Sequence, residues 1–384
     1  MARYAWGIKN ITTNVTWTSS VLSFNFTNGR QSYLDNYSAG ALTLTIKNQA
    51  NESAGFNFGD QIDVLSPTSM GVGNAIFSFY VVQVSYNDYP GNTGLSTAEI
   101  ICQDALGLMG RLQMNDFSIL AKSTGQQFGS VTGVPGFILY QPTLEASGDN
   151  GSSCSAGTYS GSVLNFWNLL VNTERTVLAV ISVSGYASTA RFYYRNGISD
   201  PATNPISFSN VSSASLIGYE SFERINLGLD LMNQVQIQPA GLATQQATNA
   251  TSVSSYGAQG FTVSTVDSTT TQALGLAEWL ANTLSDVTKQ RFVVTFTDSA
   301  QSLSDANFSL FLYNISQKLP TNLTYRVPGS GSDTTEKVIC EGISVSANPS
   351  ETTITAYLTP LTYYQFFTLD STTLGILDTS RLGW

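Results

Sequence analysis

The sequence contains no histidine, so carboxylate pairs are its main route to acid–base chemistry. The missing imidazole removes Ser-His-Asp and Cys-His nucleophile systems, His-ligated zinc and histidine general bases. Asp60 and Asp63 in GDQID miss the two-residue spacing that puts strand side chains on one face, and read as a solvated turn. Asp149-Asn150-Gly151 starts like a calcium loop, but the spaced oxygen ligands and closing Glu are missing. Asp230 and Asp370 stand isolated, and Glu174-Arg175 reads as a surface pair at a helix end. Gly71-Val72-Gly73 is a turn rather than a phosphate cradle, and neither G-x-x-x-x-G-K-[ST], a strand-linked G-x-G-x-x-G nor G-x-S-x-G occurs. Tyr4, Trp6, Tyr33, Tyr37, Tyr363 and Tyr364 could stack on sugar rings, although packing is the commoner use of aromatics in a β protein. The residues therefore predict no catalytic, metal or cofactor site and assign no binding residue.

Composition narrows the classes further. Lys+Arg is 16 and Asp+Glu is 26, a net charge of −10, and only 11% of residues are charged. That balance argues against a phosphate-backbone binder, whose affinity comes from clustered Lys and Arg. Hydrophobic content of 42% is too high for a disordered chain. No window approaches the ~18–20 apolar residues of a membrane helix. Cys102, Cys154 and Cys340 are too few and odd in number for a disulfide framework. Cys102 and Cys340 lie in strand-like runs and read as buried thiols, whereas Cys154 lies in a Gly/Ser loop and reads as exposed. The opening MARYAWGIKN has no signal-peptide pattern. Eleven N-x-[ST] sequons follow from the abundance of Asn, Ser and Thr.

The elements that would position any site are mostly strands. Partial alternation over 14–27, clean alternation over 41–47 and β-rich runs at 76–86 and 97–102 give five or six strands in the first part of the chain. Asn28-Gly29 supplies a turn. Residues 103–112 read as a short helix, 123–162 as a long loop, and 162–172 as a helix with Ser162 at its N-cap. Strands at 176–183 and 190–195 follow. A second β region contains strands at 231–238, 260–266 and 291–297 and a helix over 272–284. Strands at 322–327, 337–346 and 352–358 precede an aromatic-rich tail. The resulting expectation is a mainly β fold with α+β character. Two barrel-like β regions flank a small α+β insert, and C-terminal strands follow. The boundaries fall at 1–115, 116–215, 216–325 and 326–384.

Several runs, in this order, resemble the minor tail proteins of long-tailed bacteriophages. The stretch 15–49 resembles their opening, through Gly29, Arg30, Asp35, Ala39, Gly40, Leu42 and Asn48. FSFYVVQVSY…TAEIICQDALGLMGRL (77–112) resembles their strand, turn, strand and Asp-Ala-Leu helix. The stretch 164–195 resembles their helix, Thr-Glu-Arg and hairpin unit. The stretch 231–284 resembles their Asn-x-Val strand, Ser-x-x-x-Tyr-Gly and helix, with Asn233, Val235, Ser252, Tyr256, Gly257, Ala277 and Leu280 in place. The runs 338–360 and 367–384 resemble their C-terminal strands and closing Leu-Asp…Arg-Leu-Gly.

The resemblance implies a tail-tip, or baseplate, hub: a homotrimeric ring in which each chain contributes two tube-like β-barrels. It implies as partners a second and third copy, the distal tail or tail tube protein, the tape-measure protein, and the central fibre or receptor-binding proteins. It implies a place at the distal tip of the virion after assembly in the host cytoplasm, while the residue inventory, charge balance and hydropathy give the expectation of no enzyme activity, no cofactor, no sequence-specific nucleic-acid binding and no membrane insertion. The low charge and missing histidines depart from the family pattern, and no tail-lysin domain follows residue 325. Two other classes compete: a secreted β-rich adhesin or carbohydrate-binding module, and a glycosidase working through two carboxylates.

Overall fold

The computed structural model describes residues 6–17, 21–48, 55–65, 75–136, 143–147, 151–181, 189–193, 204–226, 228, 230–327, 329 and 331–364. The chain opens with β1 (Gly7–Asn10), β2 (Val15–Trp17), β3 (Val21–Gly29), β4 (Ala41–Lys47), β5 (Gln61–Leu65), β6 (Ala75–Asn87) and β7 (Thr97–Gln103). Alternation sets their faces: in β4, Leu42, Leu44 and Ile46 are buried while Thr43 and Thr45 are half-buried. Trp6 packs on Phe24 at 5.7 Å between ring centroids, and Phe26 packs on Phe77 at 4.9 Å, so these strands curl around one core. Each such ring contributes about 1.5–3 kcal/mol by leaving water.

The insert begins with α1 (Ala105–Arg111), β8 (Gln113–Ile119), α2 (Thr124–Ser130), β9 (Thr143–Ser147) and β10 (Gly157–Ser162). The expected long loop over 123–162 is therefore corrected. Ser123 caps α2 in a reciprocal capping box with Gln126, and β10 pairs with β8. These segments are too short to show a period, which is why the sequence reads as loop. The insert continues with α3 (Val163–Glu174), β11 (Leu178–Ile181) and β12 (Thr189–Tyr193). Ser162 caps α3 as expected, accepting from the Asn165 amide at 3.2 Å. Trp167 and Phe128, both fully buried, meet at 4.6 Å in the insert's own core.

The last part holds β13 (Ser207–Ser209), β14 (Leu216–Gly218), β15 (Ser221–Asn226), β16 (Gln234–Pro239), β17 (Gln245–Thr248), α4 (Ala250–Tyr256), β18 (Gly260–Thr265), α5 (Thr270–Thr283), β19 (Gln290–Thr297), α6 (Asp305–Ser316), β20 (Thr321–Arg326), β21 (Asp333–Ala347) and β22 (Thr352–Pro360). The sequence predicts no element over α4 or α6, and both are helices. In α6 the alternating Phe308, Leu310 and Leu312 look strand-like, yet Phe308, Phe311, Leu312 and Ile315 share a buried helical face and Ser304 caps the start.

One 14-stranded sheet runs through both β regions, in the order β14-β13-β20-β21-β3-β4-β7-β6-β5-β1-β2, with β22, β19 and β15 branching from β21. The mainly β character is as expected. The long β21 is the joint, because it pairs with β20, β22 and β3. A separate small sheet of β17, β16 and β18 packs on α5. Among the described residues no helix is long and apolar enough to cross a membrane, and no group of three or more His, Cys, Asp or Glu could hold a metal ion.

Candidate functional site

The Gly29-Arg30 pair stands where the two β regions meet. Gly29 has φ +86°, and a Cβ there would fall 2.2 Å from the Glu341 carbonyl oxygen. Opposite it in the ladder is Gly342, whose Cβ would fall 2.5 Å from the Arg30 carbonyl oxygen and 2.7 Å from that of Asn28. Two glycines facing each other let β3 and β21 approach closely, and this approach delivers Arg30 to Glu341. The Arg30 Nε donates to Glu341 Oε2 at 2.8 Å, Nη1 to the Asp35 carbonyl at 3.2 Å, and Nη2 to the Thr176 carbonyl at 3.3 Å and the Tyr364 hydroxyl at 2.9 Å. The Tyr364 hydroxyl donates in turn to Glu341 Oε1. Lys318 Nζ donates to the carbonyls of Cys340 at 3.0 Å and Glu341 at 2.7 Å. The guanidinium lies 4.7 Å from the Tyr37 ring centroid. Arg30, Glu341, Lys318, Tyr37 and Tyr364 are all buried.

This is a structural knot of charge rather than a reacting site. Burial lowers the Arg30 pKa by itself, but the Glu341 carboxylate and the nearby phenols outweigh it and hold the guanidinium charged. Burial lowers the Lys318 pKa, and burial followed by Glu341 raises that of Tyr364. One salt-bridged network thereby ties β3, the insert at Thr176, the end of α6, β21 and the strap Leu361–Tyr364 together.

A second joint lies at Gly40. Its Cβ would fall 2.5 Å from Asp104 Oδ2, and the Asp104 amide donates to the Gly40 carbonyl at 3.0 Å. Asp104 caps α1, accepting from the Gly107 amide on Oδ1 at 3.1 Å, while Oδ2 has no hydrogen-bond partner. Burial raises its pKa to about 7, against ~3.9 in an unfolded chain. Between about pH 4 and 7 the folded state then binds the extra proton. Stability attributable to this group is full below about pH 4, falls as pH rises to about 7 and stays level above. Asp104→Asn is expected to remove that fall. Urea midpoints across this window check it, and equal slopes for both proteins would refute it.

Across the main sheet the register aligns two rows without Lys, Arg, Asp or Glu, and Thr297 at the end of one is buried and donates to the Glu220 carboxylate. One runs Ser221, Thr295, Thr355, Ser344, Thr27, Ala41 and Gln103 across seven strands. The next runs Thr297, Thr353, Ser346, Asn25, Thr43, Ile101 and Gln83. The Thr295 and Thr355 hydroxyls meet at 3.1 Å. Glu99 and Glu223 lie in the flanking rows, and Arg111 reaches the Gln103 end with a 2.8 Å bond. A polar recess of about 360 Å³ opens beside Thr27, Ser344 and Tyr357, and Arg30 and Asp35 also line it.

Among the described residues, the carboxylates weighed in the sequence do not gather into a site. Asp60 and Asp63 are buried, not solvated. Asp60 accepts from Asn10 Nδ2 and the Asn57 amide, both at 2.9 Å, and Asp63 accepts from Gln61 Nε2 at 3.0 Å and Ser78 Oγ at 2.5 Å. Glu174 and Arg175 are likewise buried, with Glu174 accepting from Thr124 Oγ1 at 2.8 Å and Arg175 over the Phe261 ring. Asp230 is not isolated, since Arg291 Nε lies 3.6 Å away. Cys154 is buried, because its loop is covered by the segment at Asp267. Cys102 and Cys340 are buried as expected. Trp6, Tyr33, Tyr37, Tyr363 and Tyr364 are packed inside and offer no stacking surface. Gly71-Val72-Gly73, Asp149, Asn150, Asp370 and Tyr4 lie outside the described residues.

No family model and no curated protein matches the sequence. Solved structures do match. The 43 kDa tail protein of prophage MuSo2 from Shewanella oneidensis is 12% identical with a TM-score of 0.57, covering 94% of this chain and 99% of that one. The tail protein from Neisseria meningitidis MC58 is 9% identical with a TM-score of 0.60, covering 92% and 96%. The chain has the fold of prophage tail proteins. Prophage tail protein gp18 from Listeria monocytogenes EGD-e is a third match, 10% identical at a TM-score of 0.50, covering 92% and 94%. At these identities the tail-protein fold is what is shared. Here it is built around the Gly29–Gly342 crossing and the Arg30–Glu341 pair.

Proposed function

We propose that this chain is a non-enzymatic structural subunit of a bacteriophage tail tip. In this reading three copies form a hub ring. The ring joins the tail tube or distal tail ring to the central fibre or receptor-binding apparatus, and DNA passes through it. The observation that carries the reading is the tail-protein fold along almost the whole chain. Each chain would supply two β regions, 1–115 and 216–325, with the insert and the C-terminal strands as further units. A closed homo-oligomer of this kind satisfies every copy with one repeated contact. The proposed partners are two further copies, the distal tail or tail tube protein, the tape-measure protein and the receptor-binding proteins, all at the distal tip of the virion. The described carboxylates support a non-enzymatic role, since Asp60, Asp63 and Glu174 are engaged in buried hydrogen bonds.

Native mass across a concentration series tests the ring. A trimer that persists on dilution is the expected result, together with detection of the chain in purified particles. A strict monomer absent from particles would overturn the reading and leave the adhesin class in front.

A further inference from the structure

We propose that the polar recess beside the β3–β21 crossing binds a neutral sugar unit. Such a site is independent of the ring reading above. At about 360 Å³ the recess has the size of a small-molecule pocket. Its polar lining is unspent: the side chains of Thr27, Asn28, Gln31, Asp35, Ser38 and Ser344 make no hydrogen bond within the chain. Asn28 is only 8% exposed, and a polar side chain buried that far ordinarily has a partner. The lining is also preorganised. Residues 30–39 lead from β3 to β4, and Asn168 on α3 fixes this loop through Tyr37. Its Oδ1 accepts from the Tyr37 amide at 2.7 Å, and its Nδ2 donates to the Tyr37 carbonyl at 2.9 Å. Arg30 Nη1 holds the Asp35 carbonyl at 3.2 Å. The Asp35 carboxylate and the Ser38 hydroxyl are thereby presented with little ordering left for a ligand to impose.

The lining selects the chemistry of its guest. Arg30 is committed to Glu341 at 2.8 Å, so an anion finds no free countercharge. A cationic guest would sit beside the same guanidinium, with Asp35 alone to hold it. Among the described residues no group of three or more His, Cys, Asp or Glu could hold a metal ion. β3 pairs with β4 and β21, and β21 pairs with β22, so no strand edge is open to a peptide here. What remains is a set of hydroxyls and amides, one carboxylate and the half-buried Tyr357 ring beside Ile343. A sugar matches that set. Its adjacent hydroxyls donate to a carboxylate and exchange hydrogen bonds with amides, and its C–H face lies on an aromatic ring.

The test titrates the full-length chain with glucose, galactose and N-acetylglucosamine by ligand-observed NMR. A dissociation constant on the order of 1 mM is expected for a single sugar. Asp35→Ala is expected to weaken binding about tenfold or more, the loss of a charge-assisted hydrogen bond. Ser38→Trp is expected to abolish it by filling the recess. Asp88→Ala, an exposed carboxylate on the β6–β7 turn, is expected to leave it unchanged. Asp35 and Ser38 are exposed, so urea midpoints should stay at the wild-type value. No binding of any of the three sugars at about 50 mM, far above that constant, overturns the site. Binding that survives both Asp35→Ala and Ser38→Trp places the sugar elsewhere and overturns it too. Free arginine or inorganic phosphate that binds more tightly than every sugar, and is lost in Ser38→Trp, would make the recess an ion site and overturn the sugar reading.

Discussion

Glu341→Ala is expected to cost about 3–5 kcal/mol of folding stability, because it leaves the Arg30 guanidinium buried with no countercharge. The Arg30 side chain is only 2% exposed and its carboxylate partner 0%, so water cannot replace the lost charge without opening the joint. Lys318 Nζ, buried beside it, donates to the Glu341 carbonyl, and burial lowers its pKa. The joint removal Arg30→Met/Glu341→Leu is expected to cost clearly less than either single loss, since no unpaired charge remains. A double-mutant cycle by urea denaturation measures this. If the double variant is as unstable as the sum of the single variants, the pair is not a coupled unit and the account of the joint fails.

Gly342→Ala is expected to cost about 3 kcal/mol or to prevent folding, the upper end for forcing an extra carbon into a packed site. The added Cβ would press against the backbone oxygens of Arg30 and Asn28, at 2.5 and 2.7 Å, and backbone cannot rotate away as a side chain can. The loss should concentrate on the β3–β21 ladder, which holds the two β regions in one sheet. Hydrogen exchange checks the location: faster exchange at Asn28, Ile343 and Val345, whose amides face the partner strand in this register, with Leu276 and Leu280 on α5 unchanged, is the expected pattern. Exchange that rises uniformly, or an unchanged denaturation midpoint, would show that the close approach is dispensable. The glycine is chosen by the neighbouring strand, so no local property of residues 338–346 announces it.

Both results concern residues whose importance the sequence displayed only in part. Gly29, Arg30 and Gly40 stand in the run that resembles the tail-protein opening, but nothing in that run assigns them to a joint. Their partners, Glu341, Gly342, Tyr364 and Asp104, are far away in sequence, and neither spacing nor periodicity links residues 311 positions apart. Glu174-Arg175 and Asp60-Asp63 show the same limit from the other side. Charged residues ordinarily stay in water, so polarity alone placed them on the surface, and only tertiary hydrogen bonds make their burial tolerable.

What the sequence determined by itself is what short-range physics controls. Alternation over 41–47 set the buried face of β4, the β-rich run 97–102 marked β7, and the Ser162 cap with its apolar stripe set α3. The absence of histidine and the low charge removed whole classes of chemistry. Segments of few residues, such as α2 and β10, carry too little pattern to read alone and form because neighbouring elements complete their hydrogen bonds. The tertiary structure decided the rest: which strand joins the two β regions, which hydroxyls fall into register on one face, and which charges are hidden. Those outcomes depend on strand partners hundreds of residues apart, and a partner is selected by the packing of the whole sheet rather than by the residues beside it.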